Sequence, residues 1–281
     1  MGYYEFTINS SDDSKDAILS LTSDYGGLGA FENQKGLVIY FPDHVGIEKL
    51  HLDIERCRNV LEDSGLPSDF KFSYTYISER DWNETWKKKF QPIDIGESLS
   101  IIPPWDKPRN SRINLIIDPG MAFGTGHHDT TRTCLEHIEQ ICRSGLKNNF
   151  LDVGTGTGIL SIGAAKLGFD EVLGVDNDPL AVDAAIRNVE LNKLANITII
   201  EGTISATQGL YDVIAANLLS DILIAIAPDI AARLKKGGMA LLSGMIIGQE
   251  NEVIAAMEQE GLKFKERHDD GVRWVTVLVT H

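Results

Sequence analysis

Three glycines at alternating positions, Gly154, Gly156 and Gly158, stand between a short apolar run and a stretch with helical periodicity. Glycine lets a backbone come close to a bound molecule because it carries no Cβ. The turn from a strand into a helix is also where open parallel sheets bind their ligands, beyond the carboxyl ends of the strands. The spacing therefore predicts a ligand-binding loop; the alternative is that the glycines only form a tight turn.

The residues around the glycines indicate which class of ligand the loop would take. A dinucleotide fingerprint that starts at Gly154 needs a glycine at position 159, where this chain has Ile159. A phosphate-binding P-loop needs Gly-Lys-Ser/Thr, which residues 158–160 lack. The carboxylate of Asp152, two residues before the first glycine, would be unfavourable beside a pyrophosphate. S-adenosylmethionine has no phosphate and carries an ammonium and a sulfonium, so these residues favour it.

Two further polar residues end predicted strands. Asp176 closes the run 172–175, where a carboxylate can accept both ribose hydroxyls of an adenosine. Nicotinamide cofactors share that feature, so Asp176 alone does not discriminate between the two ligands. Asn217 ends a later strand and is followed by two leucines, where methylases of nucleobases usually have two prolines. Asparagine also forms turns, but this position favours a role for Asn217 at the reacting amine.

Adjacent histidines, His127 and His128, precede a predicted helix at 129–142. No cysteine or second histidine accompanies them at a metal-ligand spacing, so a metal site is not predicted. A proton acceptor or a cofactor contact at His127 stays open. Capping and packing of the helix is the favoured role of this segment, with Asp129 as the predicted N-cap.

The elements that must hold these residues follow from the periodicity after residue 118. Apolar strands alternate with helical stretches, which predicts a doubly wound α/β fold whose mostly parallel sheet is covered on both faces. A last strand at 272–279 has no helix before it, so the hairpin 262–279 predicts an antiparallel edge. The predicted strands before that hairpin lie at 150–153, 171–175, 197–200, 213–216 and 239–243.

The segments before this sheet differ from it in pattern. Residues 1–80 read as β-α-β-β-α-β, the order of a small ferredoxin-like α+β domain. Residues 81–118 contain four of the nine prolines and three of the four tryptophans, which predicts a structured connector and not a flexible linker. The predicted domains are therefore 1–80, 81–118 and 119–281.

Composition limits the partners and the compartment. The 281 residues include 41 acidic and 26 basic side chains, a formal net charge of −15. Affinity for nucleic acid rests on Lys and Arg displacing counterions, so a direct nucleic-acid partner is not expected and a basic protein fits better. No apolar stretch suggests a membrane protein. Three cysteines without metal-type spacing predict a reducing, cytoplasmic location.

The connector and the segment after it carry the most specific motifs. The connector contains Asp-Trp at 81–82, Trp-Lys at 86–87 and Pro-Pro-Trp at 103–105, and residues 118–126 read Asp-Pro-Gly-Met-Ala-Phe-Gly-Thr-Gly. Together with the Asn-Leu-Leu turn at 217–219, they resemble the family that methylates the large-subunit ribosomal protein L11 (PrmA type). The resemblance covers the chain from about residue 81 to its end, and the first domain is similar only in pattern.

The resemblance implies a class I S-adenosylmethionine-dependent protein N-methyltransferase. Its substrate would be the amino groups of L11, on lysine side chains, at the N-terminus or both, and the 1–80 domain would recognise it. The alternative is a methyltransferase of lysines in another protein or of a small-molecule amine. No oligomeric state is fixed, and a monomer is favoured. Asn217 is the predicted catalytic residue and residues 118–126 a predicted lid. The predicted cofactor-binding residues are Thr131, Asp152, Gly154, Gly156, Asp176 and Asn217.

Overall fold

The computed structural model forms two compact units, residues 1–90 and 91–281. It describes residues 2–11, 14, 18–19, 22, 26–27, 29–33, 36–63, 65–78, 91–118 and 128–281. Residues 81–90 of the predicted connector, His127 and all of the predicted lid except Asp118 lie outside the described residues. The rest of the predicted connector, 91–118, belongs to the second unit.

The first unit is an antiparallel sheet in the order β2-β3-β1-β4. This is the strand order of the ferredoxin-like pattern. On β1, alternate side chains such as Phe6 and Ile8 are buried with Leu50 and Ile54 of α1. The first predicted helix lies mostly outside the described residues, although Ile18 is helical and buried. The elements are β1 (Gly2–Asn9), β2 (Gly29–Asn33), β3 (Gly36–Pro42), α1 (Ile47–Asp63) and β4 (Lys71–Ser78).

The second unit is built on a seven-stranded sheet in the order β10-β9-β8-β11-β12-β14-β13. Strands β8 to β12 run parallel, and β14 is antiparallel to both of its neighbours. The predicted parallel sheet and its antiparallel edge hairpin are confirmed. The strands are β8 (Asn149–Val153), β9 (Glu171–Asp176), β10 (Ile197–Glu201), β11 (Tyr211–Asn217), β12 (Leu234–Ile246), β13 (Lys263–Asp269) and β14 (Trp274–Thr280).

Helices bury both faces of this sheet. Phe150 of β8 belongs to one core with α2, α3 and α4, and the next residue, Leu151, to a second core with α5, α6 and α7. Successive side chains of a strand point to opposite faces, so a strand that is covered twice is apolar throughout. The helices are α2 (Asp129–Arg143), α3 (Ile159–Leu167), α4 (Pro179–Asn192), α5 (Ser220–Ala225), α6 (Ala227–Arg233) and α7 (Glu250–Gln259).

A small sheet of β5 (Ile93–Ile95), β6 (Leu99–Ile102) and β7 (Ile113–Ile116) packs beside α2. Glu139 of α2 is buried and accepts a hydrogen bond from the backbone N–H of Glu97, at 3.0 Å, and one from the Ser98 hydroxyl. The φ of Gly96 is +51°, and a Cβ there would lie 2.3 Å from the Glu139 carboxylate, so a side chain at position 96 would displace that carboxylate. These contacts fix α2, whose first turn carries Thr131, to the rest of the unit.

Candidate active site

The glycine loop joins β8 to α3 and has a left-handed backbone at each of its three glycines. The φ angles are +72° at Gly154, +56° at Gly156 and +79° at Gly158. The backbone N–H of Gly154 donates to the Val175 carbonyl at 2.8 Å, which ties the loop to the neighbouring strand β9. Other residues pay about 1–2 kcal/mol for such φ values, so the alternation of glycines sets the path of the loop.

Asp176 lies beside this loop at the carboxyl end of β9. Its Oδ2 accepts a hydrogen bond from the backbone N–H of Gly156 at 2.9 Å, and its Oδ1 accepts one from Asp178 at 3.0 Å. Because each carboxylate oxygen can accept two hydrogen bonds, both retain a position for a hydroxyl group. The structure therefore brings the predicted ribose acceptor and the predicted loop into direct contact.

Asp152 lies beneath the loop and is 1% exposed. Its Oδ2 accepts hydrogen bonds from the Thr155 hydroxyl at 2.7 Å and from the Ser161 N–H and hydroxyl at 3.0 and 2.8 Å. Burial raises the pKa of Asp152 to about 6, the Asp176 carboxylate adds to the rise, and the hydrogen bonds oppose it. The carboxyl group thus holds the loop to the start of α3 from inside the fold.

The Asp152 carboxyl should lower the free energy of unfolding as the pH rises from about 4 to about 6. The folded state binds this proton more tightly than the unfolded state, because the pKa of Asp152 is raised from 3.8 to about 6. The shift corresponds to about 3 kcal/mol at most. Urea unfolding of the wild type and Asp152→Asn between pH 4 and 7.5 should show this slope only in the wild type. The exposed Asp183→Asn variant is the control, and parallel curves for wild type and Asp152→Asn would contradict the assignment.

Asn217 ends β11 at the same edge of the sheet, one strand from the glycine loop. The next residue, Leu218, donates its backbone N–H to the Ser243 carbonyl at 2.9 Å. A Cβ on Gly154 would lie 2.5 Å from the Leu218 side chain, so the loop and the Asn217 turn are packed together. The predicted catalytic residue Asn217 and the predicted cofactor-binding residues of β8, the glycine loop and β9 therefore share one edge.

Gly244 supports this turn and was not singled out in the sequence. Its φ is +89°, and a Cβ there would lie 2.5 Å from the Leu218 carbonyl oxygen and 2.9 Å from the Leu218 nitrogen. Backbone atoms cannot move aside as a flexible side chain can. A side chain at position 244 would therefore displace the turn that presents Asn217.

Gly244→Ala should reduce kcat about tenfold or more and lower the free energy of unfolding by about 1–3 kcal/mol. Gly248→Ala is the matched control, because its φ is +105° but no atom lies within 4 Å of the added Cβ. Gly248→Ala should lower the free energy of unfolding by about 1 kcal/mol through backbone strain, and its kcat should stay at the wild-type value. Equal kcat values for the two variants would show that the turn tolerates displacement.

Thr131 lies in the first turn of α2 and is 1% exposed. Its hydroxyl has no hydrogen-bond partner among the described residues, which leaves a buried polar group available to a ligand.

The prediction of Asp129 as N-cap of α2 is wrong by one residue. The N-cap is His128, because its backbone is extended, with φ −76° and ψ 137°, and its ring Nδ1 accepts from the Thr130 N–H at 3.4 Å. The imidazole also packs edge-on against Trp274, with ring centroids 4.7 Å apart.

Asn188 connects the glycine loop to Asp118, the first residue of the predicted lid, and sequence reasoning missed it. Its Oδ1 accepts from the Asp118 N–H at 2.8 Å, and its Nδ2 donates to the Thr157 carbonyl at 2.9 Å. Asn188 is buried on α4. A polar residue on the core side of an amphipathic helix is the sequence signal that could have identified it.

The comparisons with known proteins agree with this geometry. The family model "Ribosomal protein L11 methyltransferase (PrmA)" matches residues 7–281. A ribosomal protein L11 methyltransferase of Chloroflexus aurantiacus is 40% identical over 230 residues, 72% of this chain and 69% of that protein. Its counterpart in Desulforamulus reducens is 39% identical over 246 residues, 85% of this chain and 77% of that protein. 

This chain belongs to the ribosomal protein L11 methyltransferase family. The crystal structure of the ribosomal protein L11 methylase from Lactobacillus delbrueckii subsp. bulgaricus matches it with a TM-score of 0.62 at 29% identity. That match covers 68% of this chain and 99% of the other. The predicted class I methyltransferase fold, the enzymatic activity and S-adenosylmethionine as methyl donor are confirmed.

The described residues fit this methyl donor. Two carboxyl groups, of Asp152 and Asp176, lie on neighbouring strands next to the loop, which suits a cation and disfavours a pyrophosphate. The unpartnered hydroxyl of Thr131 adds a buried polar contact. In the described part of the chain, no group of three or more His, Cys, Asp or Glu residues could hold a metal ion, and no helix could cross a bilayer.

Proposed function

We propose that this protein methylates amino groups of ribosomal protein L11, at lysine side chains, at the N-terminal amine or at both. The observation that carries the proposal is the Asn217 amide at the sheet edge, packed against the glycine loop through Leu218. The relatives are named as methyltransferases of ribosomal protein L11, which is why we propose L11 as the substrate. The acidic composition of the chain also suits a basic partner. We also propose that the enzyme is a monomer, that it is located in the cytoplasm and that it does not bind nucleic acid directly.

The proposed site residues divide into three groups by the way in which each would act on the donor. Asp176, Gly154 and Gly156 hold the donor through the ribose and the close backbone of the loop. Asp152 acts on the donor through its charge and through the loop, because its own carboxylate is engaged by Thr155 and Ser161. The remaining proposed contacts are Thr131 and Asn217.

The amine must lose a proton before it can attack. A lysine with a pKa near 10.4 requires about 4–5 kcal/mol for this at pH 7, and an α-amino group near 8 requires about 1 kcal/mol. Bound S-adenosylmethionine supplies a methyl group on a positively charged sulfur. This sulfur leaves readily as a neutral thioether, so the positioning of the amine dominates the rate. We propose that the Asn217 carbonyl oxygen accepts a hydrogen bond from the amine and directs its lone pair at the methyl group. The proton passes to water.

Mass spectrometry of L11 tests the proposal. Unmethylated L11 from the same organism, incubated with the enzyme and S-adenosylmethionine, should gain mass in steps of 14 Da on amino groups. Asn217→Ala enzyme, purified in the same way, is the control for contaminating activity. Binding of S-adenosylmethionine without any gain of mass in L11 would leave a methyltransferase with another substrate and contradict the proposal.

We also propose that the first unit recognises the substrate. Residues 1–80 carry 14 acidic and 7 basic side chains, a net charge of −7, which favours a basic protein. Recognition by this unit predicts that its surface variants raise KM for L11 and leave the affinity for the methyl donor unchanged.

A further inference from the structure

Four aromatic residues at alternate positions form a row on one face of the first unit. We call Phe70, Phe72, Tyr74 and Tyr76 the β4 ring row. The ring of Phe6 on the neighbouring strand stacks on Phe72 and Tyr74, with centroids 5.8 and 5.3 Å apart. These contacts hold the row rigid, so its outer rings are positioned before any partner arrives.

The row changes from buried to exposed along the strand. Phe70 is buried, whereas Tyr74 is 45% and Tyr76 is 53% exposed. Tyr4 of β1 packs edge-on behind both tyrosines, at 6.2 and 5.4 Å. The outer end of the row therefore presents two supported aromatic side chains to the surroundings.

The buried end of the row already binds a cation. The Arg58 guanidinium carbon lies 4.3 Å from the centroid of Phe70, within the range of a cation–π contact. The same guanidinium donates to the Ser68 carbonyl at 2.9 Å. The exposed rings of Tyr74 and Tyr76 could therefore make the same kind of cation–π contact with a cation of a partner.

A carboxylate accompanies the exposed end. The Tyr76 hydroxyl donates to Asp43 Oδ2 at 3.4 Å, and the pKa of Tyr76 is raised first by desolvation and then by that carboxylate. Asp43 also accepts a hydrogen bond from the backbone N–H of Gly2 at 2.6 Å, which fixes its position. Two exposed rings beside a fixed carboxylate, on a unit whose residues 1–80 have a net charge of −7, favour a cationic partner.

The strand that carries the row is at the edge of its sheet. Among the described residues, β4 pairs with β1 and with no other strand. An edge strand can pair with an extended segment of another chain. Tyr74 and Tyr76 are two residues apart, about 6.6–7 Å along the strand, which is also the spacing of alternate side chains in such a segment.

We propose that the exposed end of the β4 ring row binds lysine or arginine side chains of an extended basic segment of the protein substrate, laid along the edge of β4. The inference rests on the proposed function for the identity of that substrate. It adds the surface on which the first unit binds it and the cation–π chemistry that selects it.

Calorimetry with full-length enzyme tests the surface, with L11 as one probe and a synthetic lysine-rich peptide as the other. The double variant Tyr74→Leu/Tyr76→Leu keeps apolar bulk but removes the rings, so it should bind L11 about tenfold more weakly, from a factor of about three to five for each contact. Tyr74→Phe/Tyr76→Phe keeps the rings and should stay within about threefold. Thr75→Ala is the control, because Thr75 is exposed on the opposite face of the same strand.

Steady-state kinetics adds a readout that a folding defect would not reproduce. The leucine variant should raise KM for L11 about tenfold, with unchanged kcat and unchanged affinity for S-adenosylmethionine. Wild-type affinity of the leucine variant for L11, or an equal loss in the phenylalanine variant, would overturn the proposal. A wild-type dimer that the leucine variant dissociates would overturn it too, since a second copy of the chain would then occupy the edge.

The two probes separate this inference from the proposed function. If L11 does not bind the wild type but the lysine-rich peptide binds in a ring-dependent manner, the surface is right and the substrate is another basic protein. If neither probe binds, or if both bind independently of the rings, the surface assignment fails, whichever protein the enzyme methylates.

Discussion

Replacing Asn217 by alanine should lower kcat for L11 methylation about a hundredfold, with the affinity for S-adenosylmethionine kept within about tenfold. Removal of one precisely placed polar group at a reacting centre costs about two to three powers of ten in other enzymes. Here the amide is the polar side chain that ends β11, and its turn is fixed by the Leu218 N–H bond to Ser243 at 2.9 Å. Single-turnover kinetics with enzyme saturated in donor measures the effect directly.

A matched control lies at the opposite end of the same strand. Gln208 is exposed before β11 begins, and Gln208→Ala also removes one side-chain amide. It should leave kcat unchanged. Turnover of Asn217→Ala at the wild-type rate, with an intact fold by circular dichroism, would remove Asn217 from the chemistry and leave it as a turn former.

Asp176→Ala should weaken the binding of S-adenosylmethionine by about 1.5–3 kcal/mol, from the loss of hydrogen bonds to a charged acceptor. This corresponds to roughly 10- to 150-fold in Kd. The variant also loses the Gly156 N–H bond of 2.9 Å, so part of the effect comes from a loosened loop. Calorimetry of the donor with wild type, Asp176→Ala and the exposed Asp183→Ala control measures the total.

An analogue of S-adenosylhomocysteine without the ribose 2′-hydroxyl separates the two contributions. Wild-type enzyme should bind the analogue more weakly than the parent compound, whereas Asp176→Ala should bind the two almost equally, because the acceptor is gone. The same preference for the parent compound in both enzymes would contradict the ribose assignment and reduce Asp176 to a loop contact.

The central parallel sheet and the residues at its ligand-binding edge could be predicted from the sequence. Gly154, Gly156, Asp176 and Asn217 could be placed together because each follows an apolar run, and the carboxyl ends of parallel strands meet at one edge. The antiparallel hairpin β13–β14 was also predictable, since no helical segment separates residues 262–267 from 272–279. Strand and helix periodicity is local information that a single sequence contains in full.

The contacts that support that edge could not be predicted from the sequence, because they form between segments that meet only in the folded chain. Gly244 reaches Leu218, and Asn188 reaches both Asp118 and Thr157, through contacts between segments far apart in the chain. The N-cap is His128 and not Asp129, and its ring packs against Trp274 of β14, a contact between segments far apart in the chain. Periodicity predicts which face of a helix or strand is buried, but it does not predict which atoms of other segments contact that face. Such contacts therefore depend on the packed fold. The exposed end of the β4 ring row could not be predicted either. The alternating aromatic residues of β4 predict a face that is buried along its whole length, whereas Tyr74 and Tyr76 are exposed.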